Sequence, residues 1–380
     1  MRQEPIVTYE LLDTASALRK AVKSLQKEDT IGVDMEADSM FHFQDRVCLI
    51  QIASRRHLYI VDPIQIEGLH LLKPLFGDRR IKKVFHGADY DIRSLFRDFG
   101  ITVHNLFDTE LACRFLGIQQ SGLDAVVQSF FNVKLEKRFQ KKDWSKRPLS
   151  EAMMTYAAKD VHHLLSLAKL LERQLLQKKR MDWVREECDL LSKVRPNPAN
   201  NAPLFMNFKG AGKLSRKDLA VLEAVLVWRK QTAQKKDLPL FKIMGNATIS
   251  TLVRKKPQTL KELAACQALS AKQISMYGHQ VVVAVSKGFK TPDDDCPFYP
   301  RKKTPRIPQT TARMARCLKN WKEAKADSLA IDPALVLNKS QIMDIAKKSP
   351  EAIHHLNDIA SLKSWQIREF GAEIIQSIQT

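Results

Sequence analysis

The chain has 380 residues, a formal net charge of +20 at pH 7 and six widely spaced cysteines. Its length predicts two or three domains, and its charge favours a polyanionic partner, with nucleic acid ahead of acidic lipid or an acidic protein. The sequence contains no CxxC pair, no secretory signal and no run approaching ~18 apolar residues, so we expect a soluble cytoplasmic protein with reduced thiols.

The first 175 residues alternate short apolar runs with helical stretches. The runs TIGVDME, RVCLIQIAS, HLYIVDP and KKVFHG are rich in β-branched residues and end at turn residues, as partly buried strands do. The stretches SALRKAVKSLQ and YDIRSLFRDFG have helical spacing. We therefore predict an α/β domain over residues 1–175.

Beyond about residue 150 the apolar spacing becomes helical, and the chain repeats itself. A shift of 93 residues aligns identical residues at matching positions: Trp228 with Trp321, Pro257 with Pro350, and Gly278 with Gly371. The shared spacing predicts two related all-α modules, over 214–290 and 311–380.

Two connecting segments separate these regions. Residues 176–213 are predicted as a connecting helix and linker, and residues 291–310 contain five prolines and no glycine, which predicts a semi-extended linker. Residues 191–380 carry a net charge of +17, against +3 for residues 1–190. A near-neutral working domain followed by a region that grips a polyanion is therefore expected.

Two carboxylates share one face of a predicted strand. Asp34 and Glu36 stand at positions i and i+2 of IGVDMEAD, so their side chains project together. Neighbouring carboxylates repel unless a cation neutralises them, and hard oxygen ligands favour Mg²⁺ or Mn²⁺ over zinc. Taken alone, the pair is better explained as two exposed acids at the end of a strand.

Two further acidic motifs follow. In KKVFHGADYDIRSLF, a strand leads through a turn into a helix, and the residues alone do not separate Asp89, a candidate N-cap, from Asp91. In TYAAKD, Tyr156 and Asp160 share a helical face. A phenol beside a carboxylate can orient a metal-activated water and accept its proton, although packing and a salt bridge would explain the same pair.

Together these motifs resemble the DEDD superfamily of 3′–5′ exonucleases, in the tyrosine-containing branch that includes ribonuclease D. The segment FHGADYDI matches the second motif of that branch, and the match selects Asp91 over Asp89. The two modules are similar to the helicase and ribonuclease D C-terminal (HRDC) domain. The resemblance implies a ribonuclease H-like mixed sheet flanked by helices, followed by two small helical modules that bind nucleic acid.

The same resemblance implies the chemistry. It makes Asp34, Glu36, Asp91 and Asp160 ligands of two divalent metal ions, Mg²⁺ or Mn²⁺, and gives Tyr156 the task of positioning the attacking water. Hydrolysis would release nucleoside 5′-monophosphates from the 3′ end of RNA. Precursors of tRNA are the implied substrates, and we expect a monomer.

A basic segment precedes the last motif. Lys134 to Arg147 has a net charge of +5, which suggests that Lys141, Lys142 and Arg147 hold the RNA backbone, while Trp144 offers a surface on which a base can stack. The alternative is a solvated loop anchored by Trp144.

Two residues near the second motif each allow two interpretations. His86 is predicted to line the cleft and contact RNA, or else to be a buried, satisfied histidine. Asp108, just before ELACRFLG, is interpreted as a helix N-cap rather than as a metal ligand.

The leading prediction is thus a 3′–5′ exoribonuclease of ribonuclease D type whose helical modules help to grip structured RNA. A DNA 3′–5′ exonuclease is the alternative enzyme, because proofreading exonucleases use the same residue types. A nucleic-acid-binding scaffold with a decayed site is the non-enzymatic alternative, against which the complete set of five residues argues.

Overall fold

The computed structural model describes residues 7–198, 202–300 and 307–379. Within these residues the chain forms two compact units. The first lies within Met1–Ala37, Arg46–Pro196 and Arg306–Thr380, and the second within Asp38–Asp45 and Asn197–Pro305.

The first unit is built on a mixed six-stranded sheet. Its strands are β1 (Glu10–Leu12), β2 (Thr30–Ala37), β3 (Val47–Ala53), β4 (Leu58–Val61), β5 (Lys82–Phe85) and β6 (Leu106–Asp108). The strand order is β1-β4-β3-β2-β5-β6, in which β3 is antiparallel to both β2 and β4, and the other pairs are parallel. The predicted α/β fold is confirmed.

Eight helices flank this sheet in the described chain before residue 198. They are α1 (Ala15–Leu25), α2 (Lys73–Gly77), α3 (Asp89–Phe99), α4 (Thr109–Leu116), α5 (Leu123–Phe131), α6 (Glu151–His162), α7 (Leu164–Gln177) and α8 (Met181–Leu191). Ser150 caps α6 by accepting a hydrogen bond from the Met153 backbone N–H at 3.3 Å. A Cβ at Gly32 on β2 would come within 2.8 Å of Leu165 Cδ1, so glycine lets α7 approach the sheet closely.

The second helical module belongs to the same unit as the sheet. Its helices are α14 (Gln309–Leu329), α15 (Pro333–Val336), α16 (Lys339–Lys348) and α17 (Ser364–Gln379), which follow α9–α13 of the first module in chain order. Trp365 of α17 is 1% exposed and stacks on Trp183 of α8, with ring centroids 4.9 Å apart. Arg180 donates to the carbonyls of both Phe115 and Leu329 at 2.7 Å. The second module and the sheet with its flanking helices therefore share one core.

Two acids of α8 complete this contact, which we call the α8–α17 junction (Glu186, Glu187, Lys363, Ser364 and Trp365). Glu186 accepts from the backbone N–H groups of Ser364 and Trp365 at 2.6 and 2.9 Å, at the start of α17. Glu187 accepts from Lys363 Nζ at 2.5 and 2.6 Å and from Trp365 Nε1 at 2.9 Å. Each of these carboxylates has donors, and negative charge at a helix N-terminus is stabilising.

The first module lies in the second unit. Its helices are α9 (Arg216–Lys236), α10 (Leu240–Ile243), α11 (Asn246–Lys255), α12 (Leu260–Ala265) and α13 (Ala271–Lys290). Residues 38–45, which directly follow β2, belong to this unit: Asp237 accepts from the Phe43 backbone N–H at 3.1 Å and from His42 Nδ1 at 2.7 Å.

The predicted connecting segments are only partly covered by the structure. Residues 199–201 and 301–306 lie outside the described residues. In the part of the proline-rich segment that is described, Cys296 is 2% exposed and its carbonyl accepts from Arg216 of α9. No helix among the described residues is long and apolar enough to cross a membrane.

Candidate active site

Strand β2 presents the first two acids. Asp34 and Glu36 alternate with Met35, so both carboxylates lie on one face of the sheet, and each side chain is partly buried. Pairing on both sides fixes the strand, since β3 and β5 flank it.

The third acid comes from the turn after β5. Gly87 turns the chain with φ +74°, and Asp108 holds the turn by accepting from the backbone N–H groups of Gly87 and Ala88 at 3.0 and 2.8 Å. Helix α3 then places Asp91 in the interior with 7% exposure. Asp89 is exposed and pairs with Arg93, and it begins α3 rather than capping it, so its suggested N-cap role is wrong.

Helix α6 supplies the fourth acid and the phenol. Tyr156 and Asp160 are one helical turn apart on α6, which contacts β2, β3 and β4. The Tyr156 hydroxyl lies within hydrogen-bond reach of Asp160. Both side chains line the same cavity as Asp34 and Glu36, which has a volume of about 400 Å³.

The four carboxylates act on one another electrostatically. Burial, together with the charges of Asp34, Asp160 and Asp91, raises the pKa of Glu36 to about 10. Burial likewise raises the pKa of Asp34 to about 6 and that of Asp91 and Asp160 well above the ordinary value, with the charge of Asp34 adding to the last two. The structure thus brings all four predicted acids into one cluster, in which water is largely excluded and the negative charges repel one another.

The same carboxylate charges act on the pKa of Tyr156. Burial raises the pKa of the Tyr156 phenol, and the charges of Asp160, Glu36 and Asp34 raise it further. The phenol is therefore protonated at neutral pH and can donate a hydrogen bond.

The donor chemistry of the cluster fits a hard divalent cation. All four candidate ligands offer carboxylate oxygen, which Mg²⁺ and Mn²⁺ prefer. Their side chains are not yet arranged as a closed ligand shell, because no three acidic, His or Cys side chains in the described chain converge closely enough to hold an ion as they stand.

His86 and Asp108 support this site from the strand ends. His86 lines the cavity, is largely buried, and its Nδ1 lies 2.9 Å from Thr109 Oγ1; burial lowers its pKa. Asp108 is 2% exposed and caps α4 by accepting from the backbone N–H groups of Glu110 and Leu111, so its interpretation as an N-cap is confirmed. Its second task, holding the Gly87 turn, has no signal in the local sequence.

Two predictions for the basic segment are wrong. Trp144 is fully buried and packs 6.1 Å from the Tyr156 ring, measured between centroids, so it offers no surface on which a base can stack. The guanidinium of Arg147 has five N–H donors, and all are taken, by the Asp62 carboxylate and by backbone carbonyls of Cys48, Trp144 and Lys146. Arg147 therefore anchors this loop rather than awaiting a phosphate.

Lys141 and Lys142 remain exposed beside this anchored loop. Lys137 of the same run lines the cavity and pairs with Asp124 at 2.9 Å. The sequence offered no reason to single out Lys137 among these lysines, since its position depends on how the loop folds back. Contact of Lys141 and Lys142 with RNA stays a prediction.

The chain matches two protein families. It matches the 3′–5′ exonuclease family over residues 9–176 and the HRDC domain family over residues 218–285 and 312–378. It is 30% identical over 352 residues to a ribonuclease D of Desulfotalea psychrophila, and the alignment covers 91% of each chain. It is 33% identical over 261 residues to an exosome complex component 10 homolog of Caenorhabditis elegans, which covers 67% of this chain and 30% of that protein.

Solved structures agree. Escherichia coli RNase D has the same fold, with a TM-score of 0.72, 23% identity, and coverage of 98% of this chain and 99% of that one. The catalytic core of RRP6 from Trypanosoma brucei gives a TM-score of 0.66 and 31% identity over 75% of this chain and 81% of that one. Fold, acidic cluster and matches together define a 3′–5′ exonuclease with two HRDC domains. The chain belongs to the ribonuclease D family.

Proposed function

We propose that this ribonuclease D family member removes nucleotides from the 3′ end of RNA with two divalent metal ions and releases nucleoside 5′-monophosphates. It is an exoribonuclease, and the four clustered carboxylates Asp34, Glu36, Asp91 and Asp160 carry the finer proposal. Burial raises the pKa of all four, and the charges of neighbouring acids raise it further for Glu36, Asp91 and Asp160. A cluster of this charge is stabilised by cations that come with the reaction.

Each residue has a proposed task. The four acids hold Mg²⁺ or Mn²⁺, and such ions acidify a bound water and offset the charge of the reacting phosphodiester. Tyr156, protonated and beside Asp160, donates a hydrogen bond that orients the attacking water.

The RNA-binding surface is proposed from charge. Lys141 and Lys142 are exposed and directly follow Gln140, which lines the cavity, and the C-terminal half of the chain carries most of the excess positive charge. Phosphate contacts release counterions, so RNA binding should weaken steeply with salt. His86, which lines the cavity, is retained as a candidate contact for the terminal nucleotide. Precursors of tRNA are the proposed substrates of a monomeric cytoplasmic enzyme.

Labelled RNA tests the proposal. With Mg²⁺ or Mn²⁺, 3′-labelled RNA should lose its label as mononucleotide at once, while 5′-labelled RNA should shorten progressively. EDTA should stop both reactions. A matched DNA oligonucleotide distinguishes the alternative enzyme, since faster hydrolysis of DNA would make the protein a DNA exonuclease. Binding of RNA without cleavage in either metal would instead support a decayed site.

A further inference from the structure

Gln51 lies beside the acidic cluster without being part of it. In the antiparallel pair of β2 and β3, Gln51 is directly opposite Asp34, just as Leu49 is opposite Glu36. Directly opposed residues have side chains on the same face, with Cβ atoms about 4.5–5.5 Å apart. Helix α6, which carries Asp160, contacts both strands. Gln51 therefore lies in the layer between the sheet and α6, next to the first carboxylate.

The side-chain amide of Gln51 is buried and unpaired. The residue is 0% exposed, and neither Oε1 nor Nε2 has a hydrogen-bond partner among the residues that the structure describes. A buried amide without partners costs stability, and such groups in native proteins call for an explanation.

Another buried glutamine shows what a purely structural amide looks like in this chain. Gln341, 1% exposed, donates from Nε2 to the Ser361 carbonyl and to Gln366 Oε1 at 2.8 Å, and its Oε1 accepts from the Asn338 backbone N–H at 2.8 Å. Every bonding direction of that amide is used. Gln51 differs from it in having bonding capacity to spare beside a functional group.

The neighbouring carboxylate lacks what Gln51 offers. Asp34 is partly buried, and the hydrogen bond that lowers its pKa comes from the Met35 backbone N–H. An amide Nε2 supplies two N–H donors, and a cross-strand glutamine is long enough to reach the opposed carboxylate. Metal-binding carboxylates are commonly held by hydrogen bonds from residues behind them, which fix their orientation.

We propose that Gln51 is a positioning residue for Asp34: its Nε2 donates a hydrogen bond to the Asp34 carboxylate and holds it in the orientation that binds a divalent ion. The proposal rests on the proposed function, because it assumes that Asp34 is a metal ligand. Gln51 acts through Asp34 and does not itself contact RNA.

A competing arrangement is specified by the same structure. The Nε1 atom of fully buried Trp144 is also unpaired among the described residues, and the indole packs near Tyr156 of α6. If Trp144 Nε1 donated to Gln51 Oε1, both unpaired groups would be explained by packing alone. The experiment must separate these two tasks.

Two matched glutamine variants of the full chain do so. Binding of Mn²⁺ is measured by electron paramagnetic resonance of the free ion, with Asp34→Ala defining the Asp34-dependent fraction, and thermal unfolding is measured in EDTA. Gln51→Met should weaken Asp34-dependent Mn²⁺ binding about tenfold or more. Its unfolding temperature in EDTA should equal or exceed that of the parent, since an unpaired buried amide has been removed. Gln341→Met should do the reverse, with a lower unfolding temperature and parental Mn²⁺ affinity.

Three results would overturn the inference. Parental Mn²⁺ affinity in Gln51→Met would reject it while leaving the metal site intact. A fall in unfolding temperature for Gln51→Met that Trp144→Phe reproduces, and that the double variant does not deepen, would assign Gln51 to the tryptophan instead. Absence of any Asp34-dependent Mn²⁺ binding in the parent would reject the proposed function itself, and the inference with it.

Discussion

Two groups of acidic side chains in the first unit have opposite environments. The acids of the α8–α17 junction, Glu186 and Glu187, receive backbone N–H groups, an indole N–H and a lysine. For the four acids of the cluster, burial raises the pKa of each, and the charges of neighbouring acids raise it further for Glu36, Asp91 and Asp160. Acids with donors at hand stabilise a fold, whereas crowded acids of like charge destabilise it.

The two groups of acids have different tasks in the first unit. The junction binds the second HRDC domain to the exonuclease domain, so that domain contributes to the fold of the enzyme. The carboxylates of the cluster carry negative charge that does not stabilise the fold and that a bound metal ion would neutralise. Substitutions should therefore move stability in opposite directions at the two places.

The largest effect is expected for Asp34→Ala. Loss of a metal ligand should lower the rate of RNA hydrolysis about a thousandfold or more, because metal ions contribute several kcal/mol of charge stabilisation in the transition state. RNA affinity should stay near that of the parent, and unfolding in EDTA should need equal or more denaturant. Full activity in this variant would reject the metal assignment.

Trp365→Ala tests the α8–α17 junction. Emptying a fully buried position that stacks on Trp183 should cost about 3–5 kcal/mol of the free energy of unfolding. The repeat supplies a control, since Lys272 occupies the equivalent position of the first HRDC domain and is exposed. Lys272→Ala should change the free energy by less than about 0.5 kcal/mol. Equal effects, measured by urea unfolding, would contradict the shared core.

Tyr156→Phe should separate chemistry from fold. Removing the hydroxyl should lower the rate of hydrolysis about a hundredfold or more while Mn²⁺ binding is retained, because the phenol orients water rather than holding the metal. Single-turnover cleavage and Mn²⁺ titration measure the two. A matched loss of both would place the Tyr156 hydroxyl among the determinants of metal binding.

Glu36→Gln tests the cost of the cluster through pH. The folded protein holds the proton on Glu36 up to about pH 10, whereas in the unfolded chain its pKa is near 4.5. Metal-free stability of the parent should therefore fall as pH rises between these values, by at most about 1.4 kcal/mol per pH unit for this group.

The variant lacks this proton and should lose less stability. Urea unfolding in EDTA at about pH 6 and about pH 8 should show its advantage over the parent widening with pH. A constant difference would indicate that the Glu36 pKa is not raised by burial and its neighbours.

The smallest effect is expected for Glu187→Gln. Its ion pair with Lys363 is partly exposed, so losing the charge should cost about 1 kcal/mol. Asp182→Asn on the same helix breaks an exposed pair with Arg185 and should cost nothing measurable. If the two substitutions cost the same, the acids of the junction are not distinguished by their partners.

Local patterns predicted much of this molecule. All four predicted strand runs form strands, because each is long and β-branched enough to show its period. The three-residue strands β1 and β6 were missed, since they are too short to show one. Spacing placed Asp34 with Glu36 and Tyr156 with Asp160, but choosing Asp91 over Asp89 needed the family resemblance.

Long-range packing was beyond sequence reasoning. Arg147 and Trp144 stand in a basic run typical of RNA contact, yet Asp62, 85 residues away, binds the one and the fold buries the other. The repeat predicts two equivalent helical modules, but Trp365 is in a core where Lys272 is exposed. Removing residues 311–380 would uncover Trp183, so lost activity after that deletion would report on folding before RNA grip.

The cluster itself is tested most directly by crystals soaked in Mn²⁺ and measured at the manganese absorption edge. The account predicts two anomalous peaks enclosed by the carboxylates of Asp34, Glu36, Asp91 and Asp160, and their loss in Asp34→Ala. Peaks elsewhere, or carboxylates that turn away from the ions, would contradict it.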